Sequence, residues 1–261
     1  MTTYTTEIAS DKLISDNPIH QRLLKAYIAA KPHVKGDLLE VGCGEGRGVE
    51  ILLNEVDAYH GLDKIQEVIE DLQRRFPKVC FEQAVIPPFQ TIASNKFDSV
   101  VSFQVIEHIQ DDRLFLQEIY RVLKPGGKAI ISTPNIRQTL SRNPWHIREY
   151  TGEQLKKLCE GIFDRVEAMG IGGNEKVWAY HEANRQSVNK ITRFDIFNLQ
   201  YRLPASLLRL PYEILNRMNR NRLHRQQGAA VEQISHEDYV LVDHPDKGLD
   251  LFFVLEKGLA G

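Results

Sequence analysis

The sequence predicts a doubly wound α/β fold on a mostly parallel sheet, and three observations carry that prediction. Short apolar runs alternate with amphipathic helical stripes over roughly a hundred residues, the pattern of βαβ units. Leu38 to Val41 runs directly into Gly42-Cys43-Gly44-Glu45-Gly46-Arg47-Gly48 and then into the helical pattern Val49, Ile51, Leu52, Leu53. About twenty residues past the first glycine, a second apolar run ends on an acid, Asp63.

Ahead of the glycine turn, residues 1 to 17 read as a loosely held leading segment. Asn17-Pro18 then opens a helix, with Ile19, Leu23, Leu24, Tyr27 and Ile28 spaced by threes and fours, closing near Pro32 and Gly36. Tyr59 to Asp63 forms a second strand and Ile65 to Phe76 its helix, stopped by Pro77. Val79 to Ala84 is a third strand running into Pro87-Pro88-Phe89. Phe97 to Phe103 is a fourth, and Asp111 to Leu123 carries the stripe Leu114, Phe115, Ile119, Val122, Leu123. Lys124-Pro125-Gly126-Gly127 ends that helix and Lys128 to Ser132 starts a fifth strand. Beyond Asn135, Thr151 caps a helix over Leu155 to Cys159, because a threonine oxygen and the side chains after it satisfy orphan amides. Phe163 to Met169 and the apolar Leu249 to Glu256 are two further strands. In such a sheet the ligand crevice lies at the carboxyl ends of the strands, where the glycine turn, Asp63, Gln83 and Gln104 all fall.

Composition narrows the setting. Lys and Arg total 33 against 35 acids, net −2 over 261 residues, so there is no global bias toward nucleic acid or acidic membranes. Cys43, Cys80 and Cys159 have neither metal-ligand spacing nor a disulfide framework, which fits a reduced, cytoplasmic setting. Met1 to Ser10 lacks a basic and apolar leader, and no run is long and apolar enough to span a bilayer.

The glycine turn holds something polar close to the main chain. A nicotinamide site wants Gly-x-Gly-x-x-Gly; here Gly46 comes one position early, Arg47 occupies the glycine place and Gly48 comes one late. Asp63 suits a ribose diol in either cofactor class, since a carboxylate accepts from two adjacent hydroxyls.

A longer span decides between them. Leu38 to Gly46, Gly61-Leu62-Asp63, Lys96-Phe97-Asp98-Ser99-Val100-Val101, Ile106-Glu107-His108-Ile109, Arg121 to Gly127 and Ser132-Thr133-Pro134-Asn135 follow one another in the order and spacing of a known family. In these motifs the chain resembles the class I S-adenosylmethionine-dependent methyltransferases, in particular the small-molecule branch with the quinone-biosynthesis O-methyltransferases. The resemblance implies a Rossmann-like, mostly parallel seven-stranded sheet with an antiparallel last strand and a helical insertion near the C-terminus. The expected organisation is a helical cap over 1–36, the cofactor-binding core over 37–180, a basic insertion over 181–235 and C-terminal strands over 236–261.

The resemblance also implies roles. Gly42, Cys43, Gly44 and Gly46 face the methionine part of S-adenosylmethionine, Glu40 helps orient its amino group and Asp63 holds the ribose. Gln83 and Ala84 meet the adenine, with Gln83 standing where the family often has Asp, and Phe103 and Gln104 close over the sulfonium. A hydroxyl acceptor must lose a proton, which favours a general base. His108, beside Glu107, is the first candidate and His146, in Asn143-Pro144-Trp145-His146, the second. The quinone O-methyltransferases hold a divalent cation with the Glu-His pair and an acid three residues before it; here Gln104 stands there, a weaker ligand for a hard cation, so no metal is expected.

From His181 to Gly228 lie nine cations against three acids, net +6, with Leu203, Leu207, Leu208, Leu210, Ile214 and Leu215 among them. Pro204 and Pro211 preclude one straight helix. The stretch reads as a helical cap over the acceptor pocket or a homodimer contact, rather than a nucleic-acid or membrane surface. The expected activity is methyl transfer to a small-molecule or carrier-linked acceptor, through a hydroxyl, with an anionic acceptor left open. N- or C-methylation, a methyltransferase-like binding protein without turnover, and a nicotinamide dehydrogenase are the alternatives.

Overall fold

The computed structural model describes residues 14–193, 195 and 198–259. Most of the leading segment and three positions of the basic insertion (194, 196 and 197) lie outside them. In chain order the elements are α1 (Asn17–Ala30), β1 (Asp37–Val41), α2 (Arg47–Leu52), β2 (Ala58–Asp63), α3 (Gln66–Arg75), β3 (Cys80–Gln83), β4 (Phe97–Phe103), α4 (Asp112–Val122) and β5 (Leu123–Pro134). There follow α5 (Gly152–Glu160), β6 (Arg165–Gly173), α6 (Glu175–Thr192), α7 (Leu199–Arg202), α8 (Ala205–Glu232), β7 (Tyr239–Val242) and β8 (Asp250–Glu256).

The strands form one sheet in the order β3-β2-β1-β4-β5-β8-β6-β7. From β3 to β5 every pairing is parallel. The last strand, β8, inserts antiparallel between β5 and β6. The chain reverses its direction of travel across the sheet between β1 and β4, which opens a crevice at their carboxyl ends.

The sheet has eight strands where seven are expected. The additional strand is β7, which pairs antiparallel with β6 at the edge. Its four residues place only Tyr239 in the core, where the hydroxyl donates to the Pro18 carbonyl at 2.6 Å, so no alternation long enough to read marks it as a strand. β5 also starts earlier than expected, because Gly126 N–H donates to the Lys257 carbonyl and Lys257 N–H to that of Gly127, zipping the turn to the chain after β8.

Helices cover both faces. Along β8 the pleat sends Phe252 and Val254 to the face packed by α1, α2 and α3, and Leu251, Phe253 and Leu255 to the face packed by α4 and α5. A fully buried side chain of this size contributes roughly 1.5 to 3 kcal/mol, and all five are within 5% of complete burial. The Thr151 cap matches its sequence signal, forming a reciprocal capping box with Gln154, and Asp111 Oδ1 caps α4 by accepting from Leu114 N–H at 2.9 Å. Among the described residues no helix is long and apolar enough to cross a membrane.

Candidate functional site

A cavity of about 890 Å³ opens at the carboxyl ends of β1, β2 and β4. Its floor is the glycine turn. Gly42 and Gly46 take φ of 82° and 85°, and a Cβ on them would lie 2.4 Å from Val105 Cγ2 and 2.3 Å from Leu72 Cδ2. Glycine is therefore required there twice over, by conformation and by space. The turn is held down by Gly42 and Cys43 N–H, which both donate to the Leu62 carbonyl at 2.8 and 2.9 Å. Asp63 ties it to the next element: Oδ2 accepts from Gly44 N–H at 2.9 Å and Oδ1 from Ile65 N–H at 3.0 Å.

Glu40 stands behind the turn rather than on the cavity wall. It is 1% exposed, accepts from Tyr27 OH at 2.6 Å and from Tyr59 OH, and burial pushes its carboxyl up to about 7. The Cys43 thiol is buried and pushed well up by desolvation, so it lines the cavity as an inert group. Phe103 lines the wall and packs edge-on against Tyr27 at 4.7 Å. Gln104 follows it with a left-handed φ of 58°, a strained conformation for a residue with a Cβ, and its side chain meets the buried Asp250 carboxylate. Gln83 is exposed, donating from Nε2 to the Lys64 carbonyl, and neither it nor Ala84 reaches the cavity, where Val85 and Ile86 form the corresponding wall.

The second cluster lies across the cavity. Glu107 is fully buried; Oε2 accepts from Thr133 OH at 2.8 Å, Oε1 has no partner among the described residues, and burial raises the carboxyl to about 7. The Glu107 carbonyl accepts from Ile147 N–H and Arg148 N–H, which fixes the loop carrying His146. His108 Nδ1 lies 2.9 Å from the Trp145 carbonyl. A carbonyl only accepts, so the neutral ring carries its proton on Nδ1 and its lone pair on Nε2. His146 Nδ1–H donates to Glu149 Oε1 at 2.6 Å, its Nε2 accepts from Asn143 Nδ2 at 2.8 Å, and its ring meets that of His108 edge-on at 5.0 Å. The ligand atoms of Glu107, His108 and His146 lie within 4.8 Å of one another, close enough to hold a cation. As packed, both nitrogens of His146 are engaged, so it serves as base or ligand only when Asn143 releases the Nε2 lone pair.

Residues that sequence reading did not single out complete the wall. Asn143 and Glu149 hold His146, while Tyr180, His181 and Asn184 from α6 and Tyr212, Asn216, Asn219 and Arg220 from α8 face the cavity. Arg22 and Arg220 are each paired with a buried acid, Asp250 at 3.0 Å and Asp16 at 3.1 Å. His181 is held neutral, down at about 4, by burial and by Arg22. A signal was present: Tyr212, Asn216, Asn219 and Arg220 recur at helical spacing within an otherwise aliphatic and basic stretch.

Residues 39–131 match a family described as methyltransferase domain. A probable S-adenosylmethionine-dependent methyltransferase of Mycolicibacterium smegmatis is 35% identical over 142 residues, 52% of this chain and 54% of that protein. The mitochondrial ubiquinone biosynthesis O-methyltransferase of Homo sapiens is 32% identical over 139 residues, 49% of this chain and 35% of that one. The chain thus spans about half, or less, of the length of these curated relatives. Among solved structures, a possible histamine N-methyltransferase from Thermotoga maritima shares the fold, with a TM-score of 0.57 at 14% identity, covering 94% of this chain and 91% of that one.

Proposed function

Starting from residues 39–131 as a methyltransferase domain of the S-adenosylmethionine-dependent kind, we propose that the chain methylates a hydroxyl of a small-molecule or carrier-linked acceptor. The observation that carries this reading is that one cavity joins the glycine turn and Asp63 to the Glu107, His108 and His146 cluster.

S-adenosylmethionine supplies a methyl group already activated as a sulfonium substituent, so the chain's own task is binding, alignment and proton removal. Asp63, with an oxygen lone pair beyond its two amide bonds, is placed to accept from a ribose diol. Gly42 and Gly46 let the turn pack against Val105 and Leu72, which keeps its main chain at the cavity floor where the aminocarboxypropyl group would lie. Gln104, on the same wall and beside the buried Asp250 carboxylate, would close over the sulfonium side. Toward the acceptor, His108 offers the Nε2 lone pair as general base, with the Trp145 carbonyl fixing its tautomer. His146, oriented by Glu149, stands beside it as the alternative base.

Calorimetric titration with S-adenosylmethionine, S-adenosylhomocysteine and NAD tests the cofactor half of the proposal; binding of NAD alone would overturn it. Release of S-adenosylhomocysteine with a panel of hydroxyl and amine acceptors tests the other half. A second reading rests on the orphan Glu107 Oε1 within the three-residue cluster: a divalent cation orients the acceptor in place of a base. Turnover that disappears with EDTA and returns with Mg²⁺ or Mn²⁺ selects that reading.

A further inference from the structure

Helix α8 carries its polarity the wrong way round for a helix covering a globular core. Its inward face presents Tyr212, Asn216, Asn219 and Arg220 to the cavity. Its outward face presents Leu207, Leu210, Ile214 and Met218, which are 63%, 66%, 51% and 62% exposed. At spacings of three and four these form a single stripe, about 17 Å long at 1.5 Å per residue, with Leu215 and Tyr201 of α7 alongside it, also exposed. An uncovered aliphatic stripe of this length marks a surface that something apolar covers.

The charges beside the stripe say what that is. Arg209 stacks on Trp145 at 4.0 Å, and Arg217 and Arg220 pair with Asp16. Arg202, Arg222 and Arg225 are exposed and make no ion pair among the described residues. Between Leu199 and Arg225 the sequence has one acid, Glu213, which is itself engaged. A second copy laid antiparallel on the stripe would set Arg225 near Arg202 with no acid to offset either. An anionic surface meets the same three guanidiniums favourably.

Against the sequence reading of this stretch as no membrane surface, we propose that the outward face of α8 lies in the headgroup region of an anionic lipid bilayer, with the aliphatic stripe sunk in the interface and Arg202, Arg222 and Arg225 on lipid phosphates. This is attachment to one leaflet, without a span. It leaves the cavity on the opposite face of the helix, at the membrane surface.

The full chain is sedimented with vesicles of phosphatidylcholine containing about 30 mol% phosphatidylglycerol and with pure phosphatidylcholine vesicles. Binding to the anionic vesicles alone, weakened at about 0.5 M salt, is the expected result. The double variant Leu210→Asp and Ile214→Asp removes the stripe and is checked by circular dichroism. The variant Arg222→Glu with Arg225→Glu alters only exposed, unpaired groups and keeps the test open if the first fails to fold; its partitioning falls by about twentyfold or more, taking about 1 kcal/mol per charge. Equal binding to both vesicle types, no binding, or a wild-type dimer in analytical ultracentrifugation that the stripe variant dissociates would each overturn the proposal.

Discussion

The carboxylate of Asp63 accepts from the Gly44 amide at 2.9 Å, so the acid that ends β2 also fixes the shape of the turn that ends β1. Replacing it therefore has two effects, which separate in the data. Asp63→Ala lowers affinity for S-adenosylhomocysteine by about ten- to a hundredfold, as charged hydrogen bonds are worth roughly 1.5 to 3 kcal/mol, and lowers Tm through the slackened turn. Asp63→Asn keeps an acceptor oxygen for Gly44 while losing the charge. It restores most of the Tm but only part of the affinity; equal recovery of both in calorimetry and melting would make Asp63 a structural strap alone.

If His108 takes the proton, His108→Ala reduces turnover by about a hundredfold or more with little change in the dissociation constant for S-adenosylhomocysteine. Glu149→Ala removes the acceptor of the 2.6 Å contact that orients His146. It reduces turnover by a comparable factor only if His146 is the base. Steady-state kinetics on the pair assigns the role to one ring, and wild-type turnover in both removes a histidine base from the chemistry.

The parallel half of the sheet and the glycine turn were legible because β1, β4 and β5 carry buried apolar runs, the stripes of α3 and α4 keep a 3.6-residue period, and the short β3 directly follows α3 and its Pro77 stop. The short edge strand at Tyr239–Val242 was not, since a four-residue strand with one buried side chain has no period to detect. Gln83 illustrates a different limit. It ends β3, and its side chain turns to the Lys64 carbonyl and solvent, so that Val85 and Ile86 are the residues that reach the cavity. Glu149 escaped notice, and Asn143 stood beside His146 without a role, because their importance lies in side-chain contacts within an irregular loop.

Glu40 gives the stability a pH dependence of known sign. Its carboxyl is raised from 4.5 to about 7 by burial, so the native state holds a proton that the unfolded chain releases first. The contribution is present in full below about pH 4.5 and is lost as pH rises through 7. Buried histidines such as His60, whose proton affinity is lowered, act in the opposite direction, so the wild-type curve alone does not isolate the effect. The difference between wild type and Glu40→Gln does. Urea unfolding between pH 4.5 and 8 shows wild type losing on the order of 3 kcal/mol relative to the variant, and a pH-independent difference would mean that Glu40 is already ionised in the fold.

Two glycines predict opposite outcomes for one substitution. Gly48, the glycine one position too late for a dinucleotide turn, has an ordinary φ; what excludes a side chain is space. A Cβ there would sit 2.5 Å from both Glu40 Oε1 and Tyr27 Cε1. The two side chains are hydrogen-bonded to each other, Tyr27 OH donating to Glu40 Oε1, and locked in the core, so neither yields cheaply, and Gly48→Ala costs about 2 to 3 kcal/mol through overpacking. It also displaces Glu40, so the pH dependence argued above changes with it. Gly228 lies inside α8, where the nearest atom to an added Cβ is His224 Nε2 at 3.9 Å. Nothing there opposes a methyl group, and helix propensity favours it by up to about 1 kcal/mol. Melting curves therefore move down for Gly48→Ala and up for Gly228→Ala, and a stabilised Gly48→Ala would show that the Glu40 and Tyr27 pair does not press on the start of α2.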